Sequence, residues 1–131
     1  MARLKEQTTL LQNKDKGRLP RLPFGTMKDA VLGKNYTLSI VFVSSAFSRT
    51  LNAKWRGKNK PTNVLSFPLS KNAGEIFLCK SVMRKEAPLF EKKYSEFCAY
   101  ILIHGMLHLK GFAHGSTMEA KERFYLKKFK V

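Results

Sequence analysis

One stretch confines the chain more than any other: Ile103-His104-Gly105-Met106-Leu107-His108-Leu109-Lys110-Gly111-Phe112-Ala113-His114. It holds all three histidines of the protein. A helix repeats every 3.6 residues, so His104 and His108 project from one face, one turn apart. Gly111 stands where such a helix stops, because glycine adopts the left-handed conformation that ends one. A turn there swings His114 back over the same face. Three imidazoles converging in this way are the ligand set of a zinc ion with an open fourth position. The residues just before, Phe97-Cys98-Ala99-Tyr100-Ile101-Leu102-Ile103, are apolar all round, which predicts a helix buried on most sides. The chain must therefore build layers around this helix, and its buried imidazoles need partners.

The remaining elements are read outward from it. Thr8 to Gln12 is a first strand, and Lys14-Asp15-Lys16-Gly17 a turn. A helix follows Leu22-Pro23-Phe24-Gly25, with Thr26 as its cap, Asp29 near its positive end and Met27 and Val31 on its buried face. Tyr36 to Val43 alternates and then becomes continuously apolar, as in a strand covered on both faces toward its end. Ser44 fits a cap for a helix whose Phe47, Leu51 and Trp55 form one apolar stripe. Lys54, Arg56 and Lys58 crowd the end of that helix, where cations suit the dipole. Val64 to Phe67 and Glu75 to Cys79 are strands close enough to form a hairpin, with Pro68 closing the first. Residues 80–93 read as a solvated connection with partial helix, and the histidine helix starts near Glu91. Ser116 and Glu119 have the spacing of a capping box for a last helix. Phe124, Leu126 and Phe129 supply its apolar contacts, and Lys121, Arg123, Lys127, Lys128 and Lys130 face water or a polyanion. The order strand, helix, strand, helix, two strands, helices predicts an α+β fold. A mixed four-stranded sheet would pack against helices, the metal-binding helix at the centre.

At 131 residues this is a single domain, 1–131. Charge narrows the partners: 25 Lys+Arg against 9 Asp+Glu leave a formal net +16. That excess points to a polyanion, nucleic acid before an anionic membrane surface. Arg3, Lys5, Lys14, Lys16, Arg18, Arg21 and Lys28 carry much of it early in the chain. No run of about 18 apolar residues predicts a membrane span, and no apolar signal core predicts export. A cytoplasmic protein is expected, with Cys79 and Cys98 free and buried.

The histidine stretch resembles the signature of the YbeY family, zinc-dependent bacterial endoribonucleases of ribosomal RNA maturation, in which it reads His-Gly-x-Leu-His-Leu-x-Gly-Tyr-Asp-His. A second block, Trp55-Arg56-Gly57-Lys58-Asn59-Lys60-Pro61-Thr62-Asn63-Val64-Leu65-Ser66-Phe67-Pro68, is similar to the family's Tyr-Arg-Gly-Lys-x-x-Pro-Thr-Asp-Val-Leu-Ser-Phe-Pro. Gly74-Glu75-Ile76 fits as well. The resemblance runs from about residue 30 to the C-terminus. It implies a single-strand-specific endoribonuclease acting at the 3′ end of small-subunit rRNA and in ribosome quality control. It further implies one Zn2+ per chain on His104, His108 and His114. Partners would be rRNA or ribosomal particles, with a ribosomal protein or assembly GTPase as a protein partner. Phe112-Ala113 departs from the family's Tyr-Asp, removing an acidic partner near the last ligand.

The spacing is also that of metzincin proteases, but there a glutamate beside the first histidine is the general base. Gly105 occupies that place here, which argues against peptide hydrolysis. For an RNA phosphodiester, Arg56 is the candidate catalytic residue: it matches the family's functional arginine, and a guanidinium can hold the charge gathering on phosphoryl oxygens. Lys58 and Lys60 would steer, and Ser66 reads as structural. Glu75 and Glu119 are candidate bases better explained by a strand start and a cap. The metal centre, or attack by the RNA 2′-OH, would each avoid a protein base. The alternative is a non-catalytic rRNA-binding assembly factor with a structural zinc. Such sites usually have four protein ligands, often cysteine.

Overall fold

The computed structural model describes residues 8–131. Arg3 and Lys5 lie outside the described residues. Four strands, β1 (Thr9–Asn13), β2 (Thr37–Val43), β3 (Val64–Ser70) and β4 (Ala73–Cys79), form one sheet in the order β1-β2-β4-β3. β1 and β4 each run parallel to β2, and β3 runs antiparallel to β4. The helices are α1 (Phe24–Leu32), α2 (Ser45–Arg56), α3 (Lys80–Glu86), α4 (Tyr94–Leu109) and α5 (Ser116–Phe129). A 3-10 turn, Ala87–Phe90, joins α3 toward α4. This is the mixed sheet with a central histidine helix that the order of elements predicts.

Helix α4 buries Phe97, Ala99, Leu102, Ile103, Met106 and Leu107 completely. It lies against the sheet face that carries Ile40, Val64, Ile76 and Leu78, with α1 and α5 along its sides. Burying so many large apolar side chains, each worth about 1.5–3 kcal/mol, makes α4 the element most resistant to displacement. The contact between α4 and the sheet is close at Gly105, where an added Cβ would lie 3.0 Å from Ser66 Oγ. Ser66 Oγ donates to the Gly105 carbonyl at 3.1 Å, tying β3 to α4 one residue past His104.

The elements depart from the sequence reading in several places, each for a local reason. Strand β3 continues through Pro68 to Ser70, with an irregularity between Pro68 and Ser70. Proline is tolerated there because β3 is an edge strand. The partial helix read in the solvated connection from residue 80 extends through all of residues 80–90, and it buries Lys80, Met83 and Ala87. Helix α1 begins directly after Pro23, so Thr26 lies inside its first turn and does not cap it. Gly115 caps α5, which makes Ser116 its first residue and leaves the capping box with Glu119 unformed.

Helix α2 also differs. Its wholly buried residues are Ser48 and Asn52, whereas Phe47 and Trp55 remain 46% and 59% exposed. The aromatic stripe does reach the second sheet face: Phe47 meets Phe77 at 6.2 Å, and Trp55 meets Phe67 at 5.6 Å between centroids. The buried polar side chains serve the following loop. Ser48 Oγ donates to the Thr62 carbonyl and accepts from the Thr62 N–H, both at 2.9 Å. Asn52 Nδ2 donates to the Lys60 carbonyl at 2.8 Å. Residues 57–62 are thereby fastened to α2, and Arg56 stands at the fixed end.

Two lysines are structural rather than part of the basic surface. Lys28 is buried and donates to Thr8 Oγ1 and to the carbonyls of Gly33 and Lys34, with Asp29 Oδ1 at 2.7 Å. Lys80 is buried beneath the 16–18 segment and donates to the carbonyls of Lys16, Gly17 and Arg18. A buried ammonium needs this many acceptors.

Candidate metal centre

His104 and His108 leave α4 on the same side. The helix then ends as expected: the N–H groups of Lys110, Gly111 and Phe112 bond back to Met106, His108 and Leu107, and Gly111 takes φ 106°. Lys110 Nζ donates to the Val31 carbonyl at 3.0 Å, pinning the turn to α1. This turn returns His114 over the helix. One ligand nitrogen from each of His104, His108 and His114 lies within 4.8 Å of the others. Ring centroids are 4.6 Å apart for His104–His108, 4.6 Å for His108–His114 and 4.9 Å for His104–His114.

The protonation pattern suits a cation. His104 Nδ1 faces Glu122 Oε2 at 2.5 Å, and His108 Nδ1 faces the Phe112 carbonyl at 3.1 Å. Both partners are acceptors, which assigns the ring protons to the two Nδ1 atoms. The bare Nε2 atoms of His104 and His108 then face each other at 3.1 Å. Two lone pairs at that distance repel unless a positive centre lies beside them, so the donor set fits a Zn2+ ion. Burial, and then the neighbouring His104 and His114, lower the His108 pKa below its ordinary value of 6.5. The neutral, ligating form is thus favoured near pH 7. Below about pH 6.5 the unfolded chain binds this proton more readily than the folded one, so acidification penalises the fold and releases metal together.

Glu122 was not visible as a site residue in the sequence. It is buried on α5, and its carboxylate orients the first ligand through the contact to Nδ1. Ala113, where the resemblance leads one to expect an acid, is exposed. The carboxylate of this site instead serves His104, from a different helix. The signal for Glu122 lay in spacing: Met118, Glu122 and Tyr125 form the buried stripe of α5. A carboxylate inside an apolar stripe needs a buried partner. Replacing Glu122 by Gln keeps the shape but removes the charge. Zinc affinity should fall about 10- to 100-fold, measured by competition with a chelator, with little change in secondary structure.

The three histidines sit between two openings. The larger is a cavity of about 520 Å³ that also exposes Arg56, Asn63, Ser66, Phe90 and Tyr100. The smaller, about 230 Å³, is bordered by Tyr100, Glu119 and Glu122. Arg56 projects into the larger one, its Nη2 donating to the Val64 carbonyl at 3.4 Å. Lys58 and Lys60 are exposed on the loop beyond it. Glu75 lies within β4, away from both openings. Cys79 and Cys98 are free and buried, and neither joins the histidine cluster. Burial pushes the Cys98 thiol up to about 11, which leaves it an unreactive core side chain.

An α+β chain with three histidines on a helix and the turn after it, an open side and a cationic cleft belongs to the class of zincin-like metal-site proteins. Comparison with known proteins carries this further. A family profile described as Endoribonuclease YbeY matches residues 12–130, and the chain belongs to the YbeY family. The Endoribonuclease YbeY of Lactobacillus gasseri is 31% identical over 140 residues, covering 91% of this chain and 80% of that protein. Those of Rhizobium etli and Colwellia psychrerythraea are 38% and 41% identical over 93 and 96 residues, covering 64% and 68% of this chain. The matches span only 54% and 62% of those two relatives, so the chain accounts for little more than half of their length. A solution structure of a Thermotoga maritima protein superposes with a TM-score of 0.63 over 92% of this chain and 88% of that one, at 24% identity, and shares the fold.

Proposed function

We propose that the chain is a zinc-dependent endoribonuclease that cuts single-stranded RNA in rRNA maturation, at the 3′ end of the small-subunit rRNA, and contributes to ribosome quality control. The observation that carries this reading is the shared cavity: three imidazoles and one guanidinium open onto the same cleft in a chain of net charge +16. His104, His108 and His114 would hold the ion. Zn2+ bound there would supply Lewis acidity and would lower the pKa of a water toward about 7. Glu122 and the Phe112 carbonyl hold the protons on the far ring nitrogens, which keeps the ligating nitrogens bare.

Arg56 presents its guanidinium to the phosphate and stabilises the charge that grows on the non-bridging oxygens. Its position is enforced by the Ser48 and Asn52 hydrogen bonds to the adjoining loop. Lys58 and Lys60 draw the strand in without reading sequence. Family membership and charge support the proposed substrate and partners: rRNA or a ribosomal particle, with a ribosomal protein or assembly GTPase beside it, in the cytoplasm. Among the described residues no helix is long and apolar enough to cross a membrane.

The test is cleavage of a small-subunit rRNA precursor fragment by zinc-loaded protein. Arg56→Ala should lower kcat about 100-fold while zinc content and melting temperature stay at parental values. Arg56→Lys should recover little, because a point charge does not replace a planar fork. Binding of the fragment without cutting, by the parent itself, would instead mark a non-catalytic assembly factor.

A further inference from the structure

The larger cleft has one wall that the chemistry above leaves unused. Phe90 ends the 3-10 turn, is 53% exposed and lines the same cavity as Arg56 and the histidines. Its ring is braced from behind: Phe97 lies at 5.0 Å and 34°, and Tyr100 at 6.3 Å and 45°. Tyr100 in turn stands 6.3 Å from the His104 ring. An aromatic surface therefore runs from an exposed edge to the metal centre. The backbone beneath it is tied off. Glu91 N–H bonds the Pro88 carbonyl and Lys92 N–H the Ala87 carbonyl, both at 3.0 Å, with Glu91 at φ 55°. Phe90 is thus presented on a closed turn.

Two cations border the same aromatic surface and could meet a phosphate backbone. Lys92 Nζ lies 5.8 Å from the Tyr100 centroid, and Arg56 borders the same cavity. An exposed ring fixed on the wall of a cavity that also holds a guanidinium is a surface on which unpaired bases stack, since every base offers a π-face to an aromatic side chain. A base within a duplex has both faces covered and is unavailable to it.

We propose that Phe90 is a stacking platform for the nucleobase next to the scissile phosphate, and so a positioning residue that selects single-stranded RNA. This rests on the endoribonuclease reading. The occupant is a base rather than an apolar peptide side chain, because the cavity leads to the imidazoles and to Arg56.

The experiment pairs Phe90→Leu with removal of single bases from the RNA. Binding of a fluorescently labelled single-stranded 2′-O-methyl RNA oligonucleotide is followed by anisotropy, and cleavage of the unmodified strand by steady-state kinetics. Phe90→Leu should weaken binding and raise KM about tenfold, with zinc content and melting temperature unchanged, and Phe90→Trp should bind at least as well as the parent. At one position in the strand, an abasic substitution should weaken binding to the parent about tenfold and leave binding to Phe90→Leu unaffected, because both changes delete one contact. Equal abasic penalties in parent and variant at every position would overturn the platform, as would parental binding by Phe90→Leu. The two readings fail separately. A parent that cuts RNA while Phe90→Leu behaves identically loses only the platform. A parent that cuts nothing but shows the non-additive abasic effect loses the endoribonuclease, and the scissile phosphate with it, while the stacking contact itself stands.

Discussion

His108→Ala should lose both zinc and RNA cleavage, and its melting temperature should no longer respond to a chelator. His108 is the middle ligand: its ring stands 4.6 Å from each of the other two. Removing it leaves one imidazole on α4 and one on the turn after it, and two ligands hold zinc far more weakly than three. A metal that binds only the folded chain stabilises it by about 4 kcal/mol at a thousandfold excess over its dissociation constant. The parent should therefore melt several degrees lower in EDTA, and the variant should melt at one temperature with or without it. The lost hydrogen bond to the Phe112 carbonyl adds only about 1 kcal/mol. Cleavage should fall by at least about 1,000-fold, since the Lewis acid and the activated water leave together. Zinc content equal to that of the parent would remove His108 from the site. Parental cleavage without zinc would remove the metal from the reaction.

What the sequence made legible was whatever depends on short-range spacing. The pair His104 and His108 needs only the period of a helix, and His114 needs only the turn that Gly111 permits. The apolar run from Phe97 to Ile103 announced a buried helix because no amphipathic alternative exists for it. Tyr36 to Val43 announced a strand in the same way. What depends on distant segments meeting was hidden. Glu122 reaches His104 only because α5 folds back along α4, and the strand order β1-β2-β4-β3 comes from pairings between separate segments. Local signals also lost to tertiary demands. Ser116 has a capping side chain, but the turn that returns His114 starts α5 one residue early, so Gly115 is the cap and its carbonyl takes the Glu119 N–H. On α2 the apolar stripe was real, yet the deepest positions went to Ser48 and Asn52, because the loop beside them has backbone groups that must be bonded.

That same packing explains the glycine in the middle of the signature, and it carries the largest expected effect on stability. Gly105 lies on the α4 face turned to the sheet, about 100° around the helix from His104. A Cβ there would stand 3.0 Å from Ser66 Oγ, 3.2 Å from Val64 Cγ2 and 3.3 Å from Ile76 Cδ1. Alanine normally gains about 1 kcal/mol over glycine inside a helix. Here three contacts must give way, and Ser66 is held by its own bond to the Gly105 carbonyl. Overpacking of this kind costs about 1–3 kcal/mol, so Gly105→Ala should come out modestly destabilised, melting a few degrees lower. Gly105→Glu, which would install the glutamate of the metzincin pattern, fares much worse. Its longer side chain would be forced into the helix–sheet contact against Ser66, Val64 and Ile76, with Arg56 reachable only across Ser66 and Val64 on the cavity side. Several kcal/mol of desolvation added to the steric cost is comparable with the whole stability of a small domain, about 5–15 kcal/mol. Gly105→Glu should be largely unfolded at 25 °C by circular dichroism, whereas Gly105→Ala keeps the parental spectrum and zinc content. A Gly105→Glu protein that folds and melts like the parent would refute the close approach of α4 to β3 and β4. If it unfolds as expected, this scaffold excludes a protein base at that position on packing grounds. The proton acceptor must then come from the metal centre, from the RNA itself or from the Glu119 side of the histidines.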